Sequence, residues 1–131
     1  MDVISPDRPR DSLWMSLLAA AAFVCWGLYV HWDHGLASRV QVALTQGFLG
    51  LAATFFSAEI VVSLVRKFCE SPHPVLTAGI TSWVLIYAVV WIVHALAGTP
   101  EILKTTLPGM ILGVFFSFGY AKRVVPYFAR S

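Results

Sequence analysis

Residues His31 to Leu36 read HWDHGL and place two imidazoles and a carboxylate within four consecutive positions. Imidazole nitrogen and carboxylate oxygen are ligands that zinc and related metals accept. His31 and His34 are three residues apart, so a helix running on to Leu36 sets them one turn apart on one face. Asp33 beside them can add an oxygen. His94 and Glu101, near the end of a later apolar segment, are the groups that would complete such a site. No HExxH or comparable zinc signature accompanies them. Two other roles compete with metal ligation. One is that of ordinary polar residues at the wet end of an apolar helix. The other is recognition of a lipid headgroup or a partner, in which a protonatable histidine can respond to external pH.

The segments that must carry these residues are defined by where charge is absent. The chain has 131 residues, of which 58% are hydrophobic and only 12% charged, well outside the soluble globular range. No formal charge lies between Asp11 and Asp33, between Glu70 and Glu101, or between Lys104 and Lys122, and Glu59 alone interrupts the stretch from Arg39 to Arg66. Crossing roughly 30 Å of hydrocarbon as an α-helix takes about twenty mostly apolar residues. Four spans follow, at about 13–32, 40–65, 76–97 and 105–122. The expected fold class is therefore an all-α membrane protein with four transmembrane helices filling residues 12–125, between tails 1–11 and 126–131. The first span is not read as a signal peptide, because it is longer than a usual apolar core, lacks a small-x-small site before His31, and precedes three more spans. Cys25 lies in a span and Cys69 in a connection, a poor placement for a disulfide. A net charge of +2 without a basic stripe points to no nucleic-acid partner.

Four crossings leave both termini on one side. Arg8, Arg10, Arg66, Lys67, Lys122, Arg123 and Arg130 share that side, against Arg39 and Lys104 on the other, a division of seven to two among nine cations. The positive-inside rule then predicts both termini in the cytoplasm and the HWDHGL turn outside, in a bacterial-type cytoplasmic (inner) membrane. Trp26, Tyr29, Trp32 and Trp91 crowd the outer span ends, and Trp14, Tyr120 and Tyr127 the inner ones, as interfacial aromatics do.

Shifting the chain by 63 positions aligns Leu13–Val62 with Leu76–Val125 without a gap and matches eleven residues. Val30 and His31 fall on Val93 and His94, Gly35 on Gly98, Leu49 and Gly50 on Leu112 and Gly113, and Ala58 on Ala121. Two tandem helical hairpins, a parallel repeat, are the expected origin. The same shift sets Glu59 against Lys122.

Inside the spans, Glu59 is the one acidic residue, and an intramembrane ionisable group is a functional candidate by default. An ion pair with Lys122 is the expected structural role, proton or cation coupling the alternative. Gln46, Gly50, Thr54 and Ala58 recur every four residues on the second span, and Gly109, Gly113, Ser117 and Ala121 do so on the fourth. Both are small-xxx-small stripes, expected to pack together or to mediate oligomerisation, since lipid supplies little hydrophobic drive between helices. Pro108 is expected near the start of its helix, where a missing N–H matters least. Trp83, Tyr87, Trp91 and His94 share a face of the third span, a surface for lipid, a neighbouring helix or an acyl chain.

No nucleophile elbow, phosphate loop or CxxC pair is present, and no cofactor is expected. The function class that remains is a non-enzymatic membrane component. It is either a small transporter- or flippase-like protein handling a lipid-linked or amphipathic substrate, or an accessory subunit. Its expected partners are membrane lipids and either further copies of itself, as a homo-oligomer, or a larger membrane complex. His31, Asp33, His34 and His94 would receive a headgroup, and Gln46 and Glu59 would line a polar route. The alternatives are a metal-dependent membrane enzyme using the His/Asp cluster and a holin-like pore former.

Overall fold

The computed structural model describes residues 9–129, with side chains from Leu13 onward. Arg8 and Arg130, two of the cations in the charge division, lie outside the described residues, as does the Arg10 side chain. Four helices follow in chain order: α1 Pro9–Val30, α2 Gly35–Phe68, α3 Pro74–Leu96 and α4 Ile102–Phe128. No strand occurs among the described residues, and the fold is all-α. Each helix is long and apolar enough to cross a membrane.

The helices run past the uncharged stretches because backbone hydrogen bonding does not stop where hydropathy does. α2, with 34 residues, is about 51 Å long at roughly 1.5 Å per residue, beyond the ~30 Å hydrocarbon layer. Its ends, with Arg39 near one and Arg66 and Lys67 at the other, therefore have polar surroundings within reach. α4 likewise continues to Phe128, so the tail expected from residue 126 begins as helix. The position of Pro108 corrects the sequence reading. α4 starts at Ile102, which makes Pro108 an interior residue that leaves the Lys104 carbonyl without its helical donor. Hydroxyls in the same turns bond to their own helix: Thr105 Oγ1 donates to the Glu101 carbonyl at 3.0 Å and Thr106 Oγ1 to the Ile102 carbonyl at 2.8 Å. Polar side chains are thereby satisfied locally, as an apolar solvent demands.

The distribution of residue types is the reverse of a soluble protein's. The largest fully buried side chains among the described residues are His31, His94, Ser16, Ser82, Ser117 and Thr105 together with Val42, Val61, Val65 and Val124. Large apolar side chains face outward: Trp14 is 64% exposed, Leu18 67%, Phe48 67% and Phe115 73%. Water would not tolerate that surface, and hydrocarbon does. This is a multi-pass membrane protein.

The chain forms two compact units, the first running through Phe55 and the second starting at Phe56. In the first, α1 lies against the N-terminal part of α2 over glycines. A methyl on Gly50 would stand 2.5 Å from Phe23 Cδ2 and 3.3 Å from the Ala20 Cα, and one on Gly47 would stand 2.9 Å from Val24 Cγ2. On α1, Gly27 returns the arrangement, its open side 3.3 Å from both Gln46 Cγ and Val42 Cγ1. In the second unit α3 packs on α4. Phe118 fills the space over Gly79, Tyr87 the space over Gly113, and Trp83 Nε1 donates to the Met110 carbonyl at 2.9 Å. The aromatic face of α3 thus meets a neighbouring helix at Trp83 and Tyr87.

These contacts relocate two of the small-residue positions. Gly50 accommodates α1 and Gly113 accommodates α3, each within its own hairpin. A larger residue at either point forces the Phe23 or Tyr87 ring to shift. Of the remaining stripe positions, Gly109, Ser117 and Ala121 are buried, and Thr54 and Ala58 are half-buried.

Internal features of the two hairpins match across the 63-residue shift. Gly35 and Gly98 both adopt positive φ, +77° and +72°. His31 and His94 are both wholly buried, as are Val42 and Thr105. Glycine is needed at both turn positions because the left-handed region places a Cβ against the following carbonyl.

Candidate functional site

The α1–α2 turn is built by its backbone. The His31 amide still bonds to the Gly27 carbonyl at 3.1 Å, and the His34 amide closes a tight turn on the His31 carbonyl at 3.0 Å. Gly35 then reverses the chain into α2. This construction separates the three groups that sequence placed together. His31 is 0% exposed, and its Nδ1 lies 3.0 Å from the Gly27 carbonyl. A carbonyl only accepts, so Nδ1 carries the hydrogen. Asp33 and His34 are exposed, and the His31 and His34 rings stand 5.1 Å apart, centre to centre, at 53°. Among the described residues no group of three or more His, Cys, Asp or Glu side chains is placed to hold a metal ion. The three-ligand set of His31, Asp33 and His34 is not assembled, because the turn buries one member and sends the other two outward.

The second turn engages its polar groups within itself. His94 Nδ1 lies 2.9 Å from Thr99 Oγ1, and Glu101 pairs with Lys104 at 2.6 Å. Glu101 caps α4 in the left-handed conformation, φ +53°, the one non-glycine described residue with positive φ. Neither His94 nor Glu101 is available to a metal set of the kind the sequence suggested.

On the first turn, Arg39 is the residue that brings chemistry. Its guanidinium carbon sits 4.7 Å from the centre of the Trp32 ring, a cation–π stack. Its Nε is shut off from solvent and has no hydrogen-bond partner. Trp32 is 66% exposed and Tyr29 73%, with Trp26 and Tyr29 rings 5.7 Å apart, so exposed aromatic rings lie at this end of the hairpin. Sequence reading treated Arg39 only as a counted cation. The available signal was a lone Arg four residues into a helix whose next cation is Arg66.

Of the polar groups within the spans, Gln46 is 4% exposed and packs beside Gly27. Glu59 and Lys122 are both exposed, and among the described residues no ion pair joins them. The expected pair fails because both side chains project away from the buried faces of their helices, which Val61 and Ala121 occupy. The chain matches no known family, no curated protein and no solved structure.

Proposed function

We propose that this protein is a non-enzymatic membrane component, transporter- or flippase-like or an accessory subunit, that handles a lipid-linked or amphipathic substrate. The observation that carries the reading is Glu59. Seven residues before Arg66 on α2, it lies about 10 Å from that end of the span, and it is exposed on the helix surface. A carboxylate facing hydrocarbon is costly, by about 2.5–3.5 kcal/mol at the bilayer centre and less nearer the edge. A polar surface that covers it removes that cost, whether a substrate headgroup in transit, a second copy of the chain or a larger subunit. The arrangement of cations supports both termini in the cytoplasm of a bacterial-type inner membrane, with the α1–α2 turn receiving the headgroup outside. Four short helices enclose little volume, so a path between subunits of a homo-oligomer suits the reading better than one within a single chain.

The test is reconstitution of the full chain in vesicles carrying fluorescent phospholipid analogues, with leaflet exchange followed by impermeant quencher. Wild type is expected to exchange lipid, and Glu59→Gln to insert and fold normally but lose most of the exchange. Equal rates for wild type, Glu59→Gln and empty vesicles overturn the transport reading. Chemical cross-linking in native membranes addresses the subunit reading, and a chain that stays monomeric and isolated overturns it.

A further inference from the structure

We propose that Arg39, stacked on Trp32 in the α1–α2 turn, is a phosphate-ester recognition group that binds the phosphate of an anionic lipid headgroup. The inference deepens the headgroup-handling reading above and rests on it for the biological role, but not for the binding itself.

Three observations converge on Arg39. The first is its missing counter-charge. In the equivalent turn of the second hairpin, Lys104 is neutralised by Glu101 at 2.6 Å, whereas Arg39 makes no ion pair with Asp33 or any other described acid. The second is its hydrogen bonding. A guanidinium has five N–H donors, and the contact with the Trp32 ring pairs none of them with an oxygen acceptor. The Nε is closed to water and to any ligand, so the donors left to meet a phosphate are those of the terminal Nη1 and Nη2 groups. Arg66 differs on this point: it is exposed, and water reaches it. The third is depth. Arg39 lies four residues after Gly35, about 6 Å along α2 from the turn. The headgroup layer on each side of a bilayer is of similar thickness, roughly 5–7 Å. The exposed rings of Tyr29 and Trp32 mark the same level, where amphipathic aromatics settle.

A guanidinium held over an indole without an acid beside it is suited to a tetrahedral oxyanion taken by its two terminal nitrogens. Two sources share this chemistry, a lipid phosphodiester and a soluble phosphate ester, and the exposed interfacial rings of Tyr29 and Trp32 favour the first.

Native mass spectrometry of the full chain released from detergent tests the site. The probes are phosphatidylglycerol, diacylglycerol with the same acyl chains, and free glycerol phosphate. Wild type is expected to retain phosphatidylglycerol well above diacylglycerol. Arg39→Gln is expected to weaken that binding about tenfold, near 1.4 kcal/mol, Arg39→Lys to restore little of it, and Arg66→Gln to leave it unchanged. Trp32→Phe, which keeps a ring under the guanidinium, is expected to retain most of the affinity if Arg39→Gln proves unrecoverable. Competition by free glycerol phosphate at equal concentration assigns the phosphate to a soluble ester and overturns the lipid assignment. Equal retention of phosphatidylglycerol by Arg39→Gln and wild type, equal binding of diacylglycerol, or an equal loss in Arg66→Gln overturns the site. These are equilibrium readouts, so a site that binds while wild-type vesicles exchange lipid no faster than empty ones refutes the transport reading alone.

Discussion

Thr99 Oγ1 lies 2.9 Å from His94 Nδ1 across the turn that ends α3. The backbone there is a Schellman motif: the Thr99 amide donates to the His94 carbonyl at 3.0 Å and the Gly98 amide to the Ala95 carbonyl at 3.2 Å. The two side chains occupy the positions that usually make an apolar contact across such a turn, and here they make a hydrogen bond. In the first hairpin the position equivalent to Thr99 is Leu36, which is 70% exposed and has no hydroxyl. His31 accordingly turns to the Gly27 carbonyl.

Replacing Thr99 by Val removes a partner of a wholly buried imidazole. Thr99→Val is expected to lower stability by about 1–3 kcal/mol, Thr99→Ser to retain most of it, and Leu36→Ala to change little. Thermal unfolding in detergent followed by circular dichroism measures all three, and an unaltered midpoint for Thr99→Val would show that the bond is not formed.

Gly35 and Gly98 have open space where a Cβ would stand, so their requirement is conformational alone. Alanine at either position forces an L side chain to positive φ, at about 1–2 kcal/mol. Asparagine, which tolerates that region, is expected to lose less. The same unfolding measurement compares them, and alanine variants as stable as wild type contradict the turn geometry.

The close contacts at Gly50 and Gly113 separate packing from helix propensity. Gly50→Ala and Gly113→Ala place a methyl against Phe23 and Tyr87 and are expected to destabilise by about 1–3 kcal/mol. Gly119 has nothing within 4 Å, so Gly119→Ala is expected to be neutral or slightly stabilising through propensity. Three equal effects would sink the assignment of these glycines to the hairpin interfaces.

Orientation is tested with cysteine. In a Cys25→Ser background, Asp33→Cys is expected to react with impermeant maleimide on intact cells, while Cys69, near Arg66, reacts only after permeabilisation. Labelling of both on intact cells would place the two connections on one face and cancel the four-crossing topology.

Charge-free stretches of helical length were enough to establish four membrane helices, because the solvent they face is uniform and composition alone decides transfer into it. The pairing of Gly35 with Gly98 and of His31 with His94 was legible for a related reason: both turns place glycine at positive φ and bury the histidine before it. Tertiary structure decided the rest. It turned HWDHGL from a candidate ligand set into one buried cap and two exposed groups. It assigned Gly50 and Gly113 to their own hairpins and left Glu59 and Lys122 apart. It also brought Arg39 onto Trp32. A contact between two side chains depends on the rotation of each helix about its axis, and in this chain no strong amphipathic pattern sets that rotation, because the lipid-facing and protein-facing sides are both apolar. Only close packing over glycine and the satisfaction of buried polar atoms choose the rotation, and neither can be read until the helices are side by side.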